Sequence, residues 1–258
     1  MHVLCTGGTT LRYQIFAGLL VLGAQSTAFA ADLPVKAPVA AAAEAVDYGN
    51  LYFGVDANTN GGLVGYSGIL YAPGGMDYSG LRVSVFGLYG KYRYTSEEEG
   101  LTFKARFASV DALVGYSYVF NNGAATLAVG ANYQNHDVSP PDRDNPVQGE
   151  KLGFKVQGDF WTNPTERTLI VGIGSYSTAF NTYYSILKFG YDVFGLGFFI
   201  GPEVVALGNQ RTDQQRLGVH VTNIRVANRV SLSVSGGWLH ERNERDGGYV
   251  TSTLDFTF

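Results

Sequence analysis

From Tyr48 to Phe258 the chain is a succession of segments in which apolar and polar residues alternate, with turn-forming residues between them. Leu51, Phe53, Val55 and Ala57 oppose Tyr52, Gly54, Asp56 and Asn58. Leu152, Phe154, Val156 and Phe160 oppose Lys151, Lys155, Gln157 and Asp159. Leu217, Val219 and Val221 oppose Arg216, Gly218, His220 and Thr222, and the final segment sets Val250, Leu254, Phe256 and Phe258 against Thr251, Thr253, Asp255 and Thr257. Successive side chains of a strand point to opposite faces, so each segment carries one apolar and one polar face. The pattern predicts strands near 48–58, 61–73, 79–95, 101–120, 124–136, 149–162, 166–180, 182–194, 196–208, 211–225, 228–241 and 248–258. This is an all-β chain, read as an up-and-down antiparallel transmembrane β-barrel of about twelve strands, with lipid on the apolar parity and a polar lumen on the other.

Two regions depart from simple alternation. In 101–120 the apolar parity runs through Leu101, Phe103 and Phe107 and then switches to Val110, Ala112, Val114, Tyr116 and Phe120, which predicts a β-bulge near Ala108–Ser109. Segments 182–194 and 196–208 are apolar on both parities. The connections alternate in length. Asn121-Asn122-Gly123, Thr162-Asn163-Pro164-Thr165, Phe194-Gly195-Leu196 and Val226-Ala227-Asn228 are tight turns. Residues 95–100, 136–148, 208–214 and 241–248 are longer and charged. That places the short turns and both termini in the periplasm and the long loops outside. The stretch 73–80 is the exception, being long for a periplasmic turn.

Composition supports the same class. Seventeen Tyr, sixteen Phe and 34 Gly accompany two Met and one Cys. Arg12, an apolar run from Ile15 to Leu22 and Ala28-Phe29-Ala30 have the layout of a secretory signal over 1–30, with cleavage before Ala31. Residues 31–47 are an Ala/Pro-rich periplasmic leader, and 48–258 the barrel. Cys5 would leave with the signal, so the mature chain is stabilised without disulfides. No later window is apolar for the length of a membrane helix. The net charge of −4 provides no basic patch, which argues against nucleic acid as a partner.

Candidate chemistry is sparse. Glu97-Glu98-Glu99 and the acids Asp137, Asp142 and Asp144 read as solvated loops without cation-loop spacing. His220-Val221-Thr222-Asn223 is similar to the His-x-Ser-Asn stretch of outer-membrane phospholipases. Thr stands in place of the nucleophilic Ser, no upstream Asn motif matches, and the alternation turns His220 inward, whereas that chemistry faces lipid. No catalytic residue, metal site or cofactor is predicted. The polar parity instead nominates lumen-lining residues: Arg82, Lys104, Arg106, Lys151, Lys155, Lys188, Arg216 and His220, with Asp111, Asp159, Asp192 and Glu203. Removing such a lining charge, Lys155 for example, should be mild. Pro202 reads as a bulge or local break, and Glu203 as paired with Arg216 or Lys188.

A chain that ends on an amphipathic strand with a terminal Phe resembles bacterial outer-membrane barrels, whose last strand closes the ring and is read by the assembly machinery. A more specific likeness lies in Gly201-Pro202-Glu203, Leu207-Gly208-Asn209, Arg216-Leu217-Gly218-Val219-His220 and Gly236-Gly237-Trp238. Earlier in the chain, Gly80-Leu81-Arg82 and Gly87-Leu88-Tyr89-Gly90-Lys91-Tyr92-Arg93-Tyr94 continue it. In this order, from about Gly49 to the end, these motifs resemble the BcsS family of cellulose biosynthesis proteins. The resemblance implies a Gram-negative outer-membrane barrel serving cellulose production, with no established catalytic residues. Its implied partners are outer-membrane lipid and lipopolysaccharide, the barrel-assembly machinery at Phe258, and cellulose or its synthase. A general small-solute porin or structural barrel and a lipid- or lipopolysaccharide-modifying barrel enzyme are the competing classes. The tyrosines serve an interfacial girdle or sugar stacking.

Overall fold

The computed structural model describes residues 46–95, 100–242 and 244–258; the expected signal, nearly all of the leader, and Glu97–Glu99 lie outside them. Twelve strands follow in order: β1 (Gly49–Asn58), β2 (Leu63–Tyr71), β3 (Gly80–Thr95), β4 (Thr102–Phe120), β5 (Gly123–Ser139) and β6 (Gly149–Thr162). Then come β7 (Thr168–Ser177), β8 (Thr182–Tyr191), β9 (Phe199–Gly208), β10 (Asp213–Ala227), β11 (Val230–Glu241) and β12 (Gly247–Thr257). Each strand pairs antiparallel with its sequence neighbours, and β1 pairs with β12 to close the barrel. The seam is latched at its end: the N–H groups of Tyr48 and Gly49 both donate to Phe258 O, and Phe258 N–H donates back to Gly49 O. Closure leaves no edge unpaired among the described strands.

Facing follows from the alternation. Phe53, Val55, Val83, Val85, Val114, Leu127, Phe154, Leu217, Val219, Val250 and Leu254 are all exposed on the outside. Asn50, Arg82, Asp111, Asn132, Glu203, Arg216, His220 and Asp255 are buried on the inside. A closed barrel with an apolar outer band is suited to a bilayer, where every backbone group must be satisfied within the protein.

Strands β3, β4 and β5 run well past the others at the end away from the termini (the far end, as opposed to the terminal end). Here the expected bulge is absent: β4 pairs in unbroken register with β3 from Ser117 to Thr102 and with β5 from Phe120 to Lys104. Phe103, Ala105 and Phe107 therefore face inward with Ser109 and Asp111, while Lys104 and Arg106 face outward with Val110 and Val114. The parity of the strand never changes. Its surroundings do: above the apolar band the outer face meets water and carries charge, and the interior is apolar.

The irregularity that does occur lies in β10, where the register with β11 shifts between Val221 and Ile224 and Asn223 takes a positive φ of 66°. Asn is one of the few residues that tolerates that conformation. Pro202 marks a local break, as expected. The β8–β9 ladder skips the positions between Lys188↔Glu203 and Tyr191↔Ile200. The 72–79 connection is held at the terminal end by Met76 N–H donating to Asp47 O and Ala72 N–H donating to Tyr48 O.

Candidate functional site: the barrel interior

Among the described residues, three ion pairs stand in the interior beside the inward carboxylates Asp159 and Asp255, which form none. Lys188 and Glu203 are register partners on β8 and β9, with Nζ 3.0 Å from Oε2. Tyr249, from β12, donates its hydroxyl to Glu203 Oε1 at 2.6 Å. Arg216 grips Asp56 through two bonds, 2.6 and 3.0 Å, and its guanidinium lies over the Tyr249 ring. Because β11 and β12 stand between β10 and β1, this pair spans part of the lumen as a chord. Lys155 on β6 likewise crosses β5 to pair with Asp111 on β4, and Asn132 on β5 donates to the same carboxylate. Bidentate Arg–carboxylate geometry is the strong form of such a contact. Between the pairs, Tyr52 stacks on Phe86 with centroids 5.5 Å apart, and Tyr66 leans against both.

The remaining nominated residues have other positions. Arg82 faces inward but is occupied with the backbone of the 72–79 connection, donating to Met76 O and Tyr78 O. Asp159 faces inward opposite Thr126, and Lys151 sits at the far rim over the Phe180 ring. Lys104 and Arg106 are corrections: both stand on the outer face, as described above. Asp192 is also corrected. It lies beyond β8, in the turn to β9, and accepts from the N–H groups of Leu196 and Gly197 at 3.1 and 2.8 Å. Burial pushes its carboxyl up, but the N–H groups of Gly197, Leu196, Gly195 and Phe194 outweigh it and hold the carboxyl below the usual range.

His220 is fully buried, and its two ring nitrogens are both engaged. One meets Thr222 Oγ1 at 2.8 Å and the other Phe189 O at 3.1 Å. Pro202 brings no N–H to the neighbouring stretch of the β8–β9 ladder. The imidazole supplies a donor to Phe189 O there, which sets the tautomer: Nε2 carries the proton and Nδ1 accepts from Thr222. The glycines make room for it. A Cβ at Gly201 would collide with Phe189 O, and one at Gly190 would crowd Phe199 and the imidazole. His220 thus repairs the backbone at a proline through one nitrogen and holds the Thr222 hydroxyl with the other. Among the described residues, no group of three or more His, Cys, Asp or Glu is placed to hold a metal.

The far end of the lumen is roofed. Tyr94, Phe103, Ala105 and Val138 form a buried apolar cluster, with Tyr94 stacked on Phe103 at 5.3 Å. The 140–148 connection tucks under it. Val147 is buried, Tyr94 donates to Asp142 Oδ2 at 2.7 Å, and Asn145 Nδ2 donates to the Tyr94 hydroxyl at 2.6 Å. Arg211, from the β9–β10 connection on the opposite side of the ring, lies over the same Tyr94 ring at 5.3 Å. A second layer stacks His136 on Phe107, with Phe180 edge-on to the imidazole. The sequence conceals this roof because Phe103 and Phe107 share the parity of the lumen charges and look, by hydropathy alone, like lipid-facing residues.

The family model for the cellulose biosynthesis protein BcsS matches residues 50–258, the barrel from its first strand to the last residue. The chain belongs to that family. No curated relative matches the chain. Among solved structures, the KdgM porin is similar with a TM-score of 0.49 and 10% identity, over 81% of this chain and 99% of that one. The β domain of the Bordetella autotransporter BrkA is similar at 0.40 and 11%, over 83% and 99%. Pseudomonas putida OprB is similar at 0.35 and 9%, over 82% and 92%. Within the BcsS family, then, this chain has a barrel with three ion pairs in its lumen and a buried aromatic cluster at its far mouth.

Proposed function

We propose that the protein is a non-catalytic outer-membrane barrel that supports export or surface assembly of cellulose, with its termini in the periplasm and the roofed end at the cell surface. The observation that carries this reading is the family match across the whole barrel. The interior is compatible with it. The cluster of Tyr52, Tyr66 and Phe86 sets an aromatic patch beside the paired charges, a lining compatible with a neutral sugar polymer. The roof makes the outer mouth a gate.

A strain lacking the gene is the test. Surface cellulose should fall while synthase activity in isolated inner membranes is unchanged. Complementation with Glu203→Lys should restore less cellulose than complementation with Glu97–Glu99 changed to Gln. Normal surface cellulose in the deletion strain would remove the glucan role. The roof also favours a second reading, a closed barrel that anchors assembly without conducting. Full complementation by a chain whose roof is cross-linked shut would select it.

A further inference from the structure

The outer wall carries a second feature, unrelated to the lumen. Across β2–β4 the lipid-facing surface drops into a groove of about 800 Å³. Gly65, Ser67 and Gly87 make its floor, and Phe53, Tyr89 and Val110 are its flanks. The groove is shallow and open, and its floor is bare where side chains are missing: a Cβ at Gly65 would meet nothing within 4 Å, and one at Gly87 only Ser109 O at 3.9 Å. The groove ends toward the far rim at Lys91 and Arg106, which are register partners on β3 and β4. Arg93 and Lys104 are the next outward-facing partners along the same two strands. All four side chains are exposed, and the outward Tyr89 and Tyr133 stand just below them, where an interfacial girdle belongs.

Like charges directly opposite on neighbouring strands destabilise a sheet, and here two such pairs are adjacent. Among the described residues, none of the four cations is within ion-pair distance of a carboxylate. Asp137 is the register partner of Arg106 on β5 without forming that contact, and Arg93 Nε donates to Asn60 O. A square of cations at the head of an apolar groove matches an amphiphile with a multiply charged anionic head and acyl chains.

We propose that this groove binds one phosphorylated glycolipid of the outer leaflet, with its phosphates between Lys91, Arg93, Lys104 and Arg106 and an acyl chain over Gly65 and Gly87. Guanidinium and ammonium groups bind phosphate through charge-assisted hydrogen bonds, while the apolar groove distinguishes a lipid from free phosphate. The placement rests on the orientation given above, and the test reads lipid retention without reference to cellulose.

The full-length protein, extracted from outer membranes in mild detergent, should retain about one phosphorylated glycolipid per barrel by mass spectrometry. Lys91→Gln/Arg106→Gln should lower retention roughly tenfold, the size expected for losing two solvent-exposed charge contacts. Gly65→Leu/Gly87→Leu should lower it comparably, since the space for both side chains is open. The heat-dependent gel shift of the folded barrel monitors integrity in each variant. Added lipid A should protect the delipidated protein against thermal unfolding, whereas inorganic phosphate at the same concentration should not. Retention at wild-type level in either double variant, or equal protection by inorganic phosphate, overturns the proposal.

Discussion

Lys155→Met tests the interior charge pairing most directly. Asp111 is 2% exposed, and its carboxylate is held by Lys155 from β6 and Asn132 from β5. An ion pair in contact is worth about 4 kcal/mol at an effective dielectric near 20, and removing one partner of a buried pair costs about 3–5 kcal/mol because the other charge is left behind. The alternation pattern treats Lys155 as a lining charge whose loss is mild. The geometry reverses that expectation to about 3–5 kcal/mol. Asp111→Asn/Lys155→Met removes both charges while leaving an acceptor for Asn132, and it should lie within about 1.5 kcal/mol of wild type. Urea unfolding of the barrel refolded in phospholipid vesicles, followed by the fluorescence of Trp161 and Trp238, measures both. If the double variant is as unstable as Lys155→Met, the stranded charge is not the cause and the pairing argument fails.

Other consequences are as direct. Phe154→Arg places a charge on the lipid face and should cost about 2–4 kcal/mol near the midplane, whereas Lys104→Ala, above the apolar band, should stay within about 0.5 kcal/mol; equal costs would refute the facing given for β4 and β6. Tyr94→Phe keeps the ring but removes the hydroxyl that binds Asp142 and Asn145, so open events in planar-bilayer recordings should become more frequent; an unchanged open probability would mean that this contact does not hold the roof. Asp192, whose folded carboxyl is held below its unfolded range, contributes stability above that range and loses it as pH falls through the folded value. Acid sensitivity below about pH 4 should therefore diminish in Asp192→Asn, read by the gel shift after incubation at graded pH.

Much of the fold was legible because one face of each strand meets lipid: the parities of β1, β6, β10 and β12 follow from their alternation, and the ring of twelve from the succession of such segments. The misreadings share a physical cause, which is that hydropathy reports environment and not direction. In β4 the inward Phe103 and the outward Val110 belong to opposite faces, yet both are apolar because the apolar medium moves from outside to inside along the strand. Asp192 was counted on a strand parity that had already ended at Tyr191. The β10 irregularity had a local signal, Asn223, at the end of the His220–Asn223 motif. The chords across the lumen, Arg216 to Asp56 and Tyr249 to Glu203, had none. They join strands three apart in the ring, and no local pattern encodes how a closed sheet curves.

The latch between Tyr48, Gly49 and Phe258 has a temporal meaning. Every other pairing in the ring joins strands that follow one another in the chain, and each can form as soon as its second strand is available. The pairing of Asn50 with Thr257 waits for all the strands between β1 and β12. Closing a loop of some two hundred residues costs about 5 kcal/mol of chain entropy if nothing has shortened it beforehand. The intervening hairpins remove most of that cost by curling the sheet toward itself, and until β12 arrives both β1 and the newest strand present open edges. The nascent barrel is then at its most adhesive just before it is complete. Weakening the Phe258 contact would prolong that interval, because its carbonyl is the acceptor used by both Tyr48 and Gly49.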